Sequence, residues 1–107
     1  GILGYCLMQF VVEANGDVYP CDFYVLDEYL SGNIKKDSLV EMIKSKNTQK
    51  FLNESRRECK ECDNCKFKKI CNKNCKRINI TYFDDEYCGY KDFLEYAFNN
   101  LRNYRGI

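Results

Sequence analysis

Cys62-Asp63-Asn64-Cys65-Lys66-Phe67-Lys68-Lys69-Ile70-Cys71-Asn72-Lys73-Asn74-Cys75 is the stretch on which the reading of this chain turns. Its cysteines are spaced Cys-x2-Cys-x5-Cys-x3-Cys. Two thiolates separated by two residues can grip one metal, or one edge of a cluster, from a tight turn. The wider gaps let the backbone wrap to the far side. Residues 56–77 show neither a helical nor a strand period and have little apolar content. A loop shaped by its ligands is therefore expected. Sites of four cysteines suit both zinc and iron–sulfur clusters, so the spacing alone leaves that choice open. Cys59 adds a third Cys-x2-Cys step, giving Cys59-x2-Cys62-x2-Cys65. That run is ferredoxin-like, but the gap after it is wrong for a ferredoxin.

The rest of the chain narrows the chemistry. It has eight cysteines and no histidine, which excludes mixed cysteine/histidine zinc sites. Soft thiolates select zinc or iron–sulfur clusters. An even cysteine count would also suit disulfides in a secreted chain. Gly1-Ile2-Leu3-Gly4-Tyr5, however, lacks the basic and long apolar regions of a signal peptide. A reducing, cytoplasmic setting is expected, with the thiols serving metal. No apolar run is long enough to span a bilayer. At 107 residues, with 45% hydrophobic and 31% charged residues, the chain fits one folded domain, residues 1–107. The net charge of +1 gives no global attraction to nucleic acid. A local basic run, from Arg56 and Arg57 through Lys60, Lys66, Lys68 and Lys69 to Lys73, Lys76 and Arg77, is read as compensating anionic thiolates. Aromatic residues, which make stacking platforms for bases, are sparse there.

Upstream, Gln9-Phe10-Val11-Val12-Glu13 and Asp17-Val18-Tyr19-Pro20 flank Asn15-Gly16. This is a strong hairpin signal, with positive φ expected at both turn positions. Pro20 cannot donate to a ladder and should end the second strand. Cys6 and Cys21 would then be neighbours at the open ends of the hairpin. Gly32-Asn33 marks a turn. Ser38 with Glu41 forms a capping-box pattern. Leu39, Met42 and Ile43 give one apolar face and Phe51 and Leu52 a second, so two short helices over 38–45 and 48–55, possibly fused, are expected. Tyr90, Phe93, Ala97, Leu101 and Tyr104 repeat at helical spacing. They predict a closing helix over 90–102 whose aromatic stripe faces the core. The fold class is small α+β. Two thiolates make only half of a four-cysteine site, so Cys6 and Cys21 should borrow one cysteine from the dense array. Cys88, at the foot of the last helix, is the matching stray for the other site.

The order Cys6-x9-Gly16-x4-Cys21, then Cys62-x2-Cys65-x5-Cys71-x3-Cys75, then Cys88, resembles the SPASM domain, the C-terminal auxiliary-cluster domain of many radical SAM enzymes. Tyr19-Pro20-Cys21-Asp22-Phe23-Tyr24-Val25-Leu26, followed by Gly32-Asn33-Ile34, resembles more narrowly the anaerobic sulfatase-maturating enzymes. Those enzymes oxidise a cysteine or serine of a sulfatase to formylglycine. The resemblance implies two 4Fe–4S clusters. Cys6, Cys21 and Cys75 would hold the first, and Cys62, Cys65, Cys71 and Cys88 the second. In the maturases the first cluster has a further cysteine upstream of the one matching Cys6, a position that falls before Gly1 here. The chain would then be a fragment whose first site is the weaker one. Cys59 is an extra that the family pattern does not require. The family's usual Gly-Gly before the last array cysteine is replaced by Asn72-Lys73-Asn74. Asp22 matches the proposed base that deprotonates the substrate side chain; a turn aspartate bonded to local backbone is the plainer reading. The implied partners are an N-terminal radical SAM domain of the same protein and a peptide or protein substrate, with no nucleic acid and no membrane. The chain lacks Cys-x3-Cys-x2-Cys, so it should not itself cleave S-adenosylmethionine. A zinc-ribbon-like interaction module is the competing class.

Overall fold

The structure, a computed structural model, describes residues 2–103. It divides into two compact units: one is Tyr5–Ser55, and the other takes Arg56 onward together with the first residues up to Gly4. Small sheets and five α-helices make the α+β class expected from sequence. Among the described residues no helix is long and apolar enough to cross a membrane.

In the Tyr5–Ser55 unit, β1 (Val11–Val12) pairs antiparallel with β2 (Asp17–Tyr19), Val11 opposite Tyr19 and Val12 opposite Val18. The turn between them is not the two-residue form. Gly16 N–H donates to the Glu13 carbonyl (2.9 Å), and Glu13 N–H to the Asp17 carbonyl (2.9 Å). Only Gly16 is left-handed, at φ 91°. This is the three-residue hairpin loop, in which a turn is followed by a left-handed residue, so one glycine is enough. A Cβ on Gly16 would lie 2.9 Å from Asn33 Oδ1, a second reason for glycine there. Pro20 is buried just past β2, and its carbonyl still accepts from Gln9 N–H (2.8 Å).

Gly32-Asn33 is a strand, not a turn. It forms β3 (Gly32–Asn33), antiparallel to β2, with Val18 opposite Gly32. The turn comes directly after it, organised by the Asn33 side chain, whose Oδ1 accepts from Lys35 N–H (2.9 Å). A Cβ on Gly32 would meet Asp37 Oδ2 at 2.8 Å and Met42 Cγ at 3.0 Å, so close packing selects glycine where the sequence suggests a bend.

Helix α1 (Leu39–Lys44) starts at the expected capping box. Ser38 Oγ accepts from Glu41 N–H (3.1 Å), and Glu41 Oε1 accepts from Ser38 N–H (3.0 Å). Helix α2 (Lys46–Asn53) follows at once, with Ser45 as both the C-cap of α1 and the N-cap of α2. The helices are separate, and α2 begins and ends earlier than its apolar pair suggests. Of the expected α1 face only Met42 is buried; Leu39 and Ile43 are exposed. Thr48 locks the corner: its hydroxyl donates to the Met42 carbonyl (2.6 Å) and also bonds Ser31 Oγ (2.6 Å) and Ser45 Oγ (2.9 Å).

The core of this unit is aromatic. Tyr24 and Tyr29, each on a short 3-10 turn, meet Phe51 of α2 edge to face. Ring centroids stand at 4.8 Å (Tyr24–Tyr29), 5.0 Å (Tyr24–Phe51) and 6.5 Å (Tyr29–Phe51). Such pairs favour this geometry because ring edges are positive and faces negative. Cys6, Cys21, Leu26 and Leu52 pack around the trio. Tyr29 Oη donates to Glu54 Oε1 (2.6 Å), and this bond, with burial, holds its phenol well above the usual range.

In the other unit, two single helical turns interrupt the expected loop: α3 (Lys60–Asp63) and α4 (Lys68–Cys71). A 3-10 turn, Asn79–Tyr82, leads to a hairpin of β4 (Phe83–Asp84) and β5 (Tyr87–Cys88) that no periodicity signals, since each strand has two residues. Asp85 takes the left-handed turn position at φ 59°, which aspartate tolerates. Helix α5 (Gly89–Leu101) closes the unit. Phe67 stacks on Phe98 (5.7 Å), Tyr82 stacks on Tyr90 (5.0 Å), and Lys66 pairs with Glu95. The expected core stripe is not a core: no described α5 residue is buried, and Phe93 and Leu101 are more than half exposed. Tyr104 lies outside the described residues.

Candidate metal centre

Cys62 lies on α3, Cys65 just after it, Cys71 ends α4, and Cys88 ends β5 as the N-cap of α5. All four line one cavity of about 260 Å³. Phe67, Tyr82, Phe83, Tyr90 and Leu94 give its wall an apolar character, and Lys68, Lys73 and Lys91 add cationic groups. Backbone donors address the sulfurs. Phe67 N–H donates to Cys65 Sγ and Lys91 N–H to Cys88 Sγ, each at 3.4 Å. The N–H groups of Lys73 and Asn74 hydrogen-bond to the Cys71 sulfur. No disulfide joins any of the eight cysteines.

The thiols resist ionisation in the bare protein. Burial pushes Cys62 up to about 12 from an ordinary 9.0, helped by its hydrogen bond to Cys59 and by the charge of Cys59. Burial also raises Cys71, and then the charges of Cys88 and Cys65 add to the effect. Crowded thiolates with no cation between them repel, so cluster or metal binding must displace protons. The same shift fixes a pH dependence. Between pH 9 and 12 the folded chain keeps the Cys62 proton that the unfolded chain gives up. That contribution to stability is full below pH 9 and is lost as the pH rises towards 12. Metal-free protein should show a falling denaturation midpoint across that window, with a shallower fall in Cys62→Ser. Equal slopes in the two proteins would remove Cys62 as the cause.

Cys59 stands apart from the cavity wall. It is buried, at 4% exposure, and caps α3. Its thiol donates to Glu61 Oε2 (3.4 Å) and its sulfur accepts from Cys62 N–H (3.4 Å). The structure thus separates the extra cysteine from the four that share a cavity.

The segment between Cys71 and Cys75 is unusual. Asn72, Lys73 and Asn74 are all left-handed, at φ 52°, 64° and 53°. This conformation costs non-glycine residues roughly 1–2 kcal/mol each, somewhat less for asparagine. The turn is clamped from outside. Arg56 Nε donates to the Asn74 carbonyl (2.8 Å) and Arg56 Nη1 to the Gly4 carbonyl (2.8 Å). Buried Asn79 donates to the Lys73 carbonyl (2.6 Å) and accepts from Arg57 Nε (3.0 Å). Asn72 Nδ2 donates to the Ile2 carbonyl (2.7 Å). Part of this segment's shape therefore comes from polar side chains, not from ligands alone. The clamping residues carry no sequence motif; the Asn-x-Asn pair is the one local hint of left-handed backbone.

Cys6 and Cys21 belong to the Tyr5–Ser55 unit, where both pack against the Tyr24/Tyr29/Phe51 trio. Cys75 belongs to the other unit, and its N–H donates to Asn74 Oδ1 (2.7 Å). Asp22 opens the 3-10 turn directly after Cys21 and is exposed. Among the described residues, no three cysteine, aspartate or glutamate side chains are gathered closely enough to grip one metal ion.

Comparison with known proteins agrees with this picture. Residues 6–66 match the SPASM family, described as an iron–sulfur cluster-binding domain. A cysteine-type anaerobic sulfatase-maturating enzyme of Clostridium perfringens strain 13 is 41% identical over 109 residues, covering 96% of this chain and 30% of the relative. A serine-type anaerobic sulfatase-maturating enzyme of Bacteroides thetaiotaomicron is 40% identical over 77 residues, 68% of this chain and 18% of the relative. A solved structure described as native anSMEcpe with bound AdoMet and Cp18Cys peptide superposes with a TM-score of 0.78 at 40% identity, covering 96% of this chain and 30% of that one. The chain thus spans less than a third of the length of these relatives.

Proposed function

We propose, because the chain belongs to the SPASM family of iron–sulfur cluster-binding domains, that it holds two 4Fe–4S clusters as the auxiliary-cluster part of a larger radical SAM enzyme of the sulfatase-maturating kind. One observation carries the reading of the second cluster: Cys62, Cys65, Cys71 and Cys88 ring a single cavity with a mixed aromatic and cationic wall. A lone zinc would need those thiolates drawn in, since sulfur about 2.3 Å from zinc puts neighbouring sulfurs only about 3.8 Å apart, with no cavity between them. A body the size of a cluster suits the arrangement better. Lys68, Lys73 and Lys91 would offset its negative charge.

Cys6, Cys21 and Cys75 are the proposed ligands of the first cluster, as the family resemblance implies. When bound, the clusters would supply one-electron redox chemistry, taking up the electron released when a substrate radical is oxidised. The chain's own residues hold those clusters and shape the place where the substrate side chain sits. In this reading Asp22 accepts the proton from that side chain, a cysteine or serine on its way to formylglycine. Its exposure beside Cys21 supports the assignment. The rest of the parent, a radical SAM domain, and a peptide or protein substrate are the partners, in a reducing cytoplasmic setting that keeps the thiols free of disulfides.

Colour is the direct test of the cofactor. Protein purified without oxygen should be brown, with broad absorption near roughly 400 nm from thiolate-to-iron charge transfer. Colourless protein carrying zinc would replace this reading with the zinc-ribbon one. For Asp22, the Asp22→Asn variant of the full-length enzyme should turn over about 10²-fold more slowly with unchanged iron content. Unchanged turnover would return Asp22 to the role of a turn residue.

A further inference from the structure

The left-handed turn between Cys71 and Cys75 is dearer than a connection requires. Three residues could pass between two ligands in ordinary right-handed or extended backbone. Instead, three consecutive non-glycine residues sit at φ 52–64°. Strain of this kind persists only where the surroundings enforce it, and it gathers at functional sites. Here the enforcing groups are identifiable: Asn79 on the Lys73 carbonyl, Arg56 on the Asn74 carbonyl, and Asn72 on the Ile2 carbonyl. With those carbonyls pulled outward, the N–H groups of Lys73 and Asn74 turn towards the Cys71 sulfur. The Lys73 side chain also lines the cavity, held by Asp63 at 3.6 Å. The turn thus points its positive ends at one sulfur and its negative ends at the clamps.

Hydrogen bonds to cysteine sulfur and nearby positive charge stabilise the reduced, more negative form of an iron–sulfur cluster. We propose that the Asn72–Lys73–Asn74 turn, held by Arg56 and Asn79, is a potential-setting element that raises the reduction potential of the cluster bound through Cys71. Arg56 and Asn79 are positioning residues: neither is among the cavity's four thiols, and each acts through the backbone of the turn. Asn79 also hydrogen-bonds to the Cys62 sulfur, an effect of the same sign. The inference rests on the cluster assignment made above.

The test is a redox titration followed by electron paramagnetic resonance, on full-length protein with its clusters in place. The signal that disappears or changes in Cys71→Ser identifies the cluster in question. Asn79→Ala and Arg56→Ala should keep the iron content of the parent and shift that cluster to a lower potential, leaving the other signals in place. Lys73→Gly separates turn from charge. Glycine adopts the same backbone freely and keeps both N–H donors, so its shift should be the smaller one. Full iron with an unmoved potential in Asn79→Ala and Arg56→Ala would overturn the proposal, as would a Lys73→Gly shift equal to theirs. If Asn79→Ala fails to keep its cluster, Arg56→Ala decides alone, since Arg56 contacts no sulfur of the site. If Cys71→Ser retains every signal unchanged, the cluster assignment itself has failed, and that result is distinct from an unmoved potential.

Discussion

Cys88→Ser is expected to lower the iron content by about four atoms per chain and to leave α5 largely in place. Two roles meet at this residue. Cys88 lines the cavity with Cys62, Cys65 and Cys71, and it is the N-cap of α5, its sulfur accepting from Lys91 N–H. Serine separates the roles. Its hydroxyl is a preferred N-cap acceptor, so the helix start is kept. As a ligand it is a harder oxygen donor, ill matched to the iron of a thiolate-bound cluster. Iron analysis and circular dichroism on the same sample read the two effects apart. Cys88→Ala should lose both: the iron, and about 1 kcal/mol of helix-cap stabilisation. Full iron in Cys88→Ser would remove Cys88 from the ligand set, whatever happens to the helix.

Phe51→Ala should destabilise the Tyr5–Ser55 unit by about 3–5 kcal/mol, the usual cost of emptying a buried aromatic site. Phe51 is 1% exposed and contacts both Tyr24 and Tyr29 edge to face. Its loss leaves a void that the ring edges cannot close without giving up their mutual geometry. The consequence reaches the metal chemistry, because Cys6 and Cys21 pack on this trio. Denaturant titration gives the stability loss directly. Iron retention at elevated temperature checks the link, and the variant should lose iron first from the cluster that Cys6→Ser also abolishes. Leu52→Ala, beside the trio but only half-buried, is the control and should cost clearly less. A Phe51→Ala midpoint within error of the parent would mean that the trio is not the core of this unit.

The ease of reading this chain varied with the range of the interactions involved. Ligand spacing is local, so the four cysteines of the cavity stand out in sequence. The capping box at Ser38 is equally local, and both its bonds are present. Strands of two residues carry no period, which hides the β4–β5 hairpin and lets Gly32-Asn33 pass for a turn. Gly32 carried a different message from the usual one: glycine there answers to Asp37 and Met42 in space, not to a bend in the chain. The clamps are the least legible feature. Arg56 reaches Asn74 and Gly4, far away along the chain in both directions, and in sequence it is one more cation in a basic run. Reading that run as charge compensation suits Lys68 and Lys73 on the cavity wall, but Arg56 is spent on backbone carbonyls. For α5, amphipathic spacing located the helix, but spacing cannot tell a stripe that meets a core from one left open to solvent.

Ser45 closes α1 and opens α2, so the corner between the helices has no spare residue. Most surface connections absorb insertions and deletions because a loop can lengthen at small entropic cost. This one cannot. An added residue would have to be taken up by α2 itself, where each residue advances the helix by about 100° of rotation. That rotation would carry Phe51 off its two tyrosines and Thr48 away from Ser31 and the Met42 carbonyl together. Length variation should therefore be purged at this corner even where substitutions are accepted, making residues 44–46 a fixed ruler within an otherwise loop-rich chain.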